Sequence, residues 1–217
     1  MHTFFQKLYQ RQLFVQFRYL FQRFTLNAKK YKYFCHRYNW TWMNERAVEI
    51  SLAVSELSIA QKNHKRILEI GNVLSHYVPT NHIIVDKYEK EKGVINKDIV
   101  DYMPRGKFDL ILCISTLEHV GWDEPKKEKV KTKQAAEKVR SLLKPGGKAF
   151  FTFPFGYNPH LDKYVRTNTL GLDRMWFMER IGWDNRWGEI PLPKKNVKYN
   201  EPYCNANVVV VGEMTGI

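Results

Sequence analysis

The run Phe108-Asp109-Leu110-Ile111-Leu112-Cys113-Ile114 is the feature that most restricts what this chain can fold into. A strand with one face in water alternates polar and apolar residues. A run that is apolar at all but one position belongs to a strand covered on both faces, as in a parallel sheet between layers of helix. Shorter strand-like runs stand at 66–70, 82–85 and 94–95 before it, and at 149–153, 186–190 and 206–211 after it. Helix-like stretches separate several of them. Residues 44–60 carry Ala47, Val48, Ile50, Leu52, Val54, Leu57 and Ile59. Asp123 as an N-cap and Pro125 in the first turn predict another helix, with Ala135, Ala136, Val139, Leu142 and Leu143 as its buried stripe. The segment Lys144-Pro145-Gly146-Gly147 stops it. A further helix is expected from about 170 to 180.

This alternation predicts an α/β chain: a Rossmann-like, doubly wound, mostly parallel sheet of seven strands, with ligands at the carboxyl ends of the strands. The domain spans 45–217. Residues 1–44 form a basic, aromatic, amphipathic helical extension. Phe14, Phe17, Phe21 and Phe24 recur there at helical spacing, joined by Leu13 and Leu20, with glutamines and arginines between them. The chain has a formal net charge of +13, and eight cations precede its first acidic residue, Glu45. That asymmetry calls for an anionic neighbour: a membrane surface, a nucleic acid or an acidic partner. Burial against the domain is the commoner fate of an apolar helix face; interfacial membrane binding and an oligomer contact are the alternatives. Nothing in the sequence sets the oligomeric state.

Cys35, Cys113 and Cys204 have no disulfide or zinc spacing, so neither a structural metal nor a disulfide framework is expected. No stretch approaches the length of a membrane span, and no secretory leader is recognisable. A cytoplasmic protein is expected, with membrane association at most peripheral.

Glu69 and Gly71, Asp86, Asp98, and Ser115 to His119 stand at the carboxyl ends of successive predicted strands. A nucleoside needs a glycine for close backbone approach and a carboxylate for its ribose hydroxyls. A dinucleotide would also need Gly-x-Gly-x-x-Gly to seat its pyrophosphate. Here the run is Gly71-Asn72-Val73-Leu74-Ser75-His76, with only the first glycine. A cofactor without phosphates does not need the rest.

The pieces Ile67-Leu68-Glu69-Ile70-Gly71, Ile84-Val85-Asp86, Asn96-Lys97-Asp98-Ile99, Phe108-Asp109-Leu110-Ile111, Ser115-Thr116-Leu117-Glu118-His119-Val120 and Leu142-Leu143-Lys144-Pro145-Gly146-Gly147 occur in the order and spacing of the class I S-adenosylmethionine methyltransferases. The chain resembles that family over about 65–211. Asn44-Glu45-Arg46-Ala47-Val48-Glu49 and Phe155-Gly156-Tyr157-Asn158 resemble a subgroup found beside glycan-assembly enzymes. The resemblance implies S-adenosylmethionine as cofactor, with Glu69, Gly71 and Asn72 at the methionine end and Asp86 on the ribose. It implies Asp98 and Ile99 at the adenine, and Ser115 near the sulfonium. It departs from the family at Val73 and Ser75, where glycines are usual, and in the short interval after Gly71.

Methyl transfer to a hydroxyl requires alignment and removal of a proton. His119 is the candidate base, with Glu118 to orient it or to contact the acceptor. Tyr157, Asn158 and His160 are candidates for binding the acceptor, a saccharide or other small polar metabolite. Two other readings compete: a methyltransferase-like scaffold that has lost its cofactor, and a nucleic-acid methyltransferase or binder.

Overall fold

A computed structural model describes residues 13, 15–19, 21–193 and 196–217. Among them, eight strands form one sheet and two form a separate hairpin, β1 (Arg23–Leu26) with β2 (Lys29–Lys32). The large sheet comprises β3 (Ile67–Ile70), β4 (Ile83–Asp86), β5 (Val94–Asn96), β6 (Phe108–Ile114), β7 (Leu143–Phe155), β8 (Arg174–Arg180), β9 (Trp187–Ile190) and β10 (Val208–Thr215). Its order is β5-β4-β3-β6-β7-β10-β8-β9. The first four pairings are parallel and the last three antiparallel. The sheet is thus Rossmann-like and doubly wound, as expected, with eight strands rather than seven because β8 inserts between β10 and β9.

Alternation along each strand divides the interior into two cores. Ile111 and Cys113 of β6 face one way, with Phe151, Phe153 and Phe155 of β7 and Val208 and Val210 of β10. Leu110, Leu112 and Ile114 face the other, with Phe150, Val209 and Val211. Phe108 breaks parity with Leu110 because the β6–β7 register shifts between them. Helix α1 (Arg46–Lys62) covers the second face through Ala47, Val48, Ile50, Ala53 and Leu57. On the first face lie α2 (Lys131–Leu142) and α3 (Pro159–Arg166), through Ala135, Ala136, Val139, Leu161 and Val165. The near-continuous apolar run of β6 is explained: both its faces are core.

Two expected elements differ, and one helix was not expected. Residues 174–180 form β8 rather than a helix, because they pair with β10 from Arg174↔Glu213 to Glu179↔Val208; tertiary pairing overrides the helix propensity of Met, Glu and Arg. Helix α2 starts at Lys131, so Asp123 caps nothing and Pro125 lies in the preceding loop. Helix α3 was missed, although Asn158 as N-cap and Pro159 at its first position are ordinary start signals.

In the N-terminal part, a helix runs through the described residues 13, 15–19 and 21. Its buried face is Val15 and Tyr19, not the predicted phenylalanine stripe: Phe17 and Phe21 are exposed, and Phe24 is buried on β1. Phe14, Leu20 and the first twelve residues lie outside the described ones. No helix among the described residues is long and apolar enough to cross a membrane.

Candidate functional site

The strand order reverses between β3 and β6, and a cleft of about 330 Å³ opens outside their carboxyl ends. Ile70 and Gly71 come from the end of β3, Val85 and Asp86 from β4, Lys97 to Ile99 from beyond β5, and Ser115 and Thr116 from beyond β6. Gly71 has φ +81°, and a Cβ there would lie 2.1 Å from Thr116 Oγ1. Glycine is therefore required twice, by backbone conformation and by packing.

Asp86 organises the loop after β3 as well as its own. Its Oδ2 accepts from the Asn72 amide at 3.0 Å, and its Oδ1 accepts from the Tyr88 and Glu89 amides at 2.8 Å each. Glu89, which sequence reasoning missed, accepts from Asn72 Nδ2 at 2.9 Å and also lines the cleft. Ser75, in place of a usual glycine, donates to Asn72 Oδ1 at 2.6 Å and does not line the cleft. Val73 is part of the wall, and the cleft remains open beside it.

Asp98 caps the turn Ile99–Asp101 by accepting from the Val100 amide. It is also ion-paired with Lys87 at 2.9 Å and Lys131 at 2.8 Å, and both lysines pair with Glu124. Burial opposes ionisation of Asp98 and Glu124, but hydrogen bonds from Lys131 and Lys87 hold both carboxyls below their usual range. Ile99 presents an apolar wall beside this cluster.

Beneath the cleft lies a buried ionic group built on α1. Glu49 is fully buried; both its carboxylate oxygens accept from Ser115 Oγ, at 2.8 and 2.9 Å, and it pairs with Arg46 at 3.1 Å. Ser115 is held at φ +39°, a left-handed conformation uncommon outside glycine. Glu45 accepts from the Ala206 amide at 3.1 Å. Glu118 is 1% exposed. Burial, reinforced by the charge of Glu49, pushes the Glu118 carboxyl well above its ordinary range, and Glu45 is raised for the same reasons. The Arg46 guanidinium stays charged despite its desolvation because Glu49 and Glu45 flank it.

His119 lines the cleft, and its Nδ1 is hydrogen-bonded to Asp123 Oδ2. Tyr157 Oη donates to the same oxygen at 2.6 Å, and the Tyr157 and His119 rings meet edge to face at 5.1 Å. Although its partial burial opposes ionisation, hydrogen bonds from Tyr157 and His119 hold the Asp123 carboxyl below its usual range. Glu118 Oε1 stands 3.6 Å from His119 Nε2. Sequence reasoning offers Glu118 to orient His119 and reads Asp123 as a helix cap; the structure puts Asp123 on the imidazole instead.

The structure thus brings together Gly71, Asn72, Asp86, Asp98, Ile99, Ser115 and His119 around one cleft. Glu69 lies outside it. Its Oε1 accepts from the Val73 and Leu74 amides at 2.9 and 2.7 Å, and its Oε2 contacts His82 Nε2 at 2.6 Å, so it shapes the loop from below. Asn158 is also outside: it caps α3 and donates to the Glu118 carbonyl at 2.9 Å. The His160 ring stands against Trp122, away from the cleft wall. Glu118 sits behind His119 rather than on the wall. Before the domain boundary read from sequence, Tyr38 and Asn39 reach the cleft, with Tyr38 stacked on His76 at 4.6 Å. No group of three or more potential metal ligands is found among the described residues.

No family model and no curated protein matches the chain. Among solved structures it is similar to the N-methyltransferase NodS from Bradyrhizobium japonicum in complex with S-adenosyl-L-homocysteine, at 11% identity over 76% of this chain and 86% of that one, with a TM-score of 0.46. A possible histamine N-methyltransferase from Thermotoga maritima is 14% identical over 75% of this chain and 88% of its own, with a TM-score of 0.41. An S-adenosylmethionine-dependent methyltransferase from Clostridium acetobutylicum is 14% identical over 75% and 89%, with a TM-score of 0.39.

Proposed function

We propose that this chain is an S-adenosylmethionine-dependent methyltransferase acting on a hydroxyl of a small polar acceptor, a saccharide or related metabolite. The observation that carries the reading is a glycine-floored cleft at the sheet's switch point, with Asp86 at one side and His119, hydrogen-bonded to Asp123, on its wall. The residues present fit an adenosyl group. Asp86 Oδ2 has one amide donor and retains acceptor capacity for a ribose hydroxyl. Ile99 offers an apolar surface to a base. The loop after β3 has no glycine cradle for a pyrophosphate. The volume lies at the lower end for small-molecule sites, which leaves the acceptor to approach at the open rim beside His119.

When bound, S-adenosylmethionine supplies a methyl group already activated by its sulfonium. The protein's own work is alignment and proton removal. With Nδ1 hydrogen-bonded to Asp123, the His119 ring is oriented so that Nε2 can take the proton of an acceptor hydroxyl. Glu49 fixes Ser115 at the end of β6, so the floor of the cleft is rigid.

The test is methyl transfer from S-adenosylmethionine carrying a labelled methyl group to a panel of saccharides. Label should enter an acceptor hydroxyl, and His119→Gln should abolish this while leaving cofactor affinity unchanged. Cofactor binding with label appearing only on amines would remove the hydroxyl assignment. Absence of cofactor binding would remove the enzymatic reading altogether.

A further inference from the structure

We infer that the N-terminal helix, the hairpin β1–β2 and the turn at 181–186 form a docking surface for an anionic lipid membrane. Among the described residues, the helix is held to the domain through one side. Val15 and Tyr19 are buried, Tyr19 Oη donates to the Asn185 carbonyl at 2.5 Å, and Arg18 pairs with Asp184 at 2.9 Å. Its other side leaves Phe17 64% and Phe21 74% exposed, with their rings 5.4 Å apart. The turn to which the helix is tied leaves Ile181 58% and Trp183 46% exposed. Phe17 and Phe21, adjacent and exposed, are an apolar surface that the packing among the described residues leaves uncovered.

Charge identifies the occupant. In the hairpin Phe24 and Leu26 turn inward, so Arg23 and Thr25 turn outward, directly opposite Lys32 and Lys30. Arg23 against Lys32 is a like-charge cross-strand pair, which weakens a two-stranded hairpin. No ion pair among the described residues joins Arg23, Lys30 or Lys32 to a carboxylate. The sequence also contains no acidic residue before Glu45. An interface of acidic headgroups over acyl chains answers both halves of the surface, cations on the headgroups and rings at the acyl boundary. A nucleic acid would answer the phosphate-binding cations and leave the apolar side without a role.

The experiment is flotation of the full chain with vesicles of phosphatidylcholine alone and of phosphatidylcholine mixed with phosphatidylserine. Binding is expected only with phosphatidylserine and should weaken as salt is raised. The double change Phe17→Ala with Phe21→Ala should weaken it about tenfold or more. Lys30→Ala and Lys32→Ala should each weaken it about fivefold. These side chains are exposed, so an unchanged thermal midpoint will show that the variants are folded. Equal binding to both vesicle types, no binding to either, or full binding by the phenylalanine variant would overturn the inference. So would single-stranded RNA that binds the chain more tightly than vesicles do and is indifferent to the phenylalanine change.

Discussion

Asp123 stands four residues after His119 and takes hydrogen bonds from both that imidazole and Tyr157. Removing its charge while keeping its shape separates orientation from binding. Asp123→Asn should lower turnover about 100-fold or more, since the imidazole loses its fixed tautomer, while cofactor affinity stays within error. Single-turnover rates beside calorimetry check this. Gly71→Ala places a methyl group against Thr116 and forces alanine to φ +81°; destabilisation of about 2 kcal/mol or more is expected in urea titrations. The strand-end positions Gly71, Asp86 and Ser115 were legible in the sequence because strand ends can be read from where apolar runs stop. The roles of Asp123 and Glu49 were not. Asp123 resembles any loop aspartate until Tyr157, 34 residues later, reaches it. Glu49 resembles a solvated helix position until Ser115, 66 residues away, bonds to it.

At the scale of elements, α1 does more than cover the sheet. Glu49→Ala would free Ser115 from both its bonds and leave Arg46 without its nearest carboxylate. Loss of about 3 kcal/mol and a weakened cofactor site are expected together. A milder Glu49→Gln change, which keeps an acceptor, should restore part of both. Helix α3 offers a pH signature. Burial raises the Asp162 carboxyl to about 6, against the opposing hydrogen bond from the Gly156 amide and the charge of Arg166. The folded state then holds a proton that the unfolded chain has released, so stability falls as pH rises from about 4 to 6. Asp162→Asn should flatten that segment of the stability profile, by about 2 kcal/mol across it. Strands β3 to β6 were readable because burial on both faces writes continuous apolar runs. Strand β8 was not, because Arg174-Met175-Trp176-Phe177-Met178-Glu179-Arg180 suits a helix locally and becomes a strand only through β10.

For the whole molecule, the proposed account places chemistry at the reversal of strand order and a membrane contact at the N-terminal surface. The central strands that end at the cleft carry side chains of both cores, so ligand binding should stabilise the entire domain. S-adenosylmethionine at about a hundredfold over its dissociation constant should add roughly 2.7 kcal/mol to unfolding, seen as a higher thermal midpoint. The central claim is that the cleft accepts an adenosyl group without phosphates. Titration calorimetry of the intact chain with S-adenosylhomocysteine and, separately, with a nicotinamide dinucleotide tests it most directly. Saturable heat at one site is expected for the first and none for the second. Silence from S-adenosylhomocysteine, or equal binding of the dinucleotide, would contradict it.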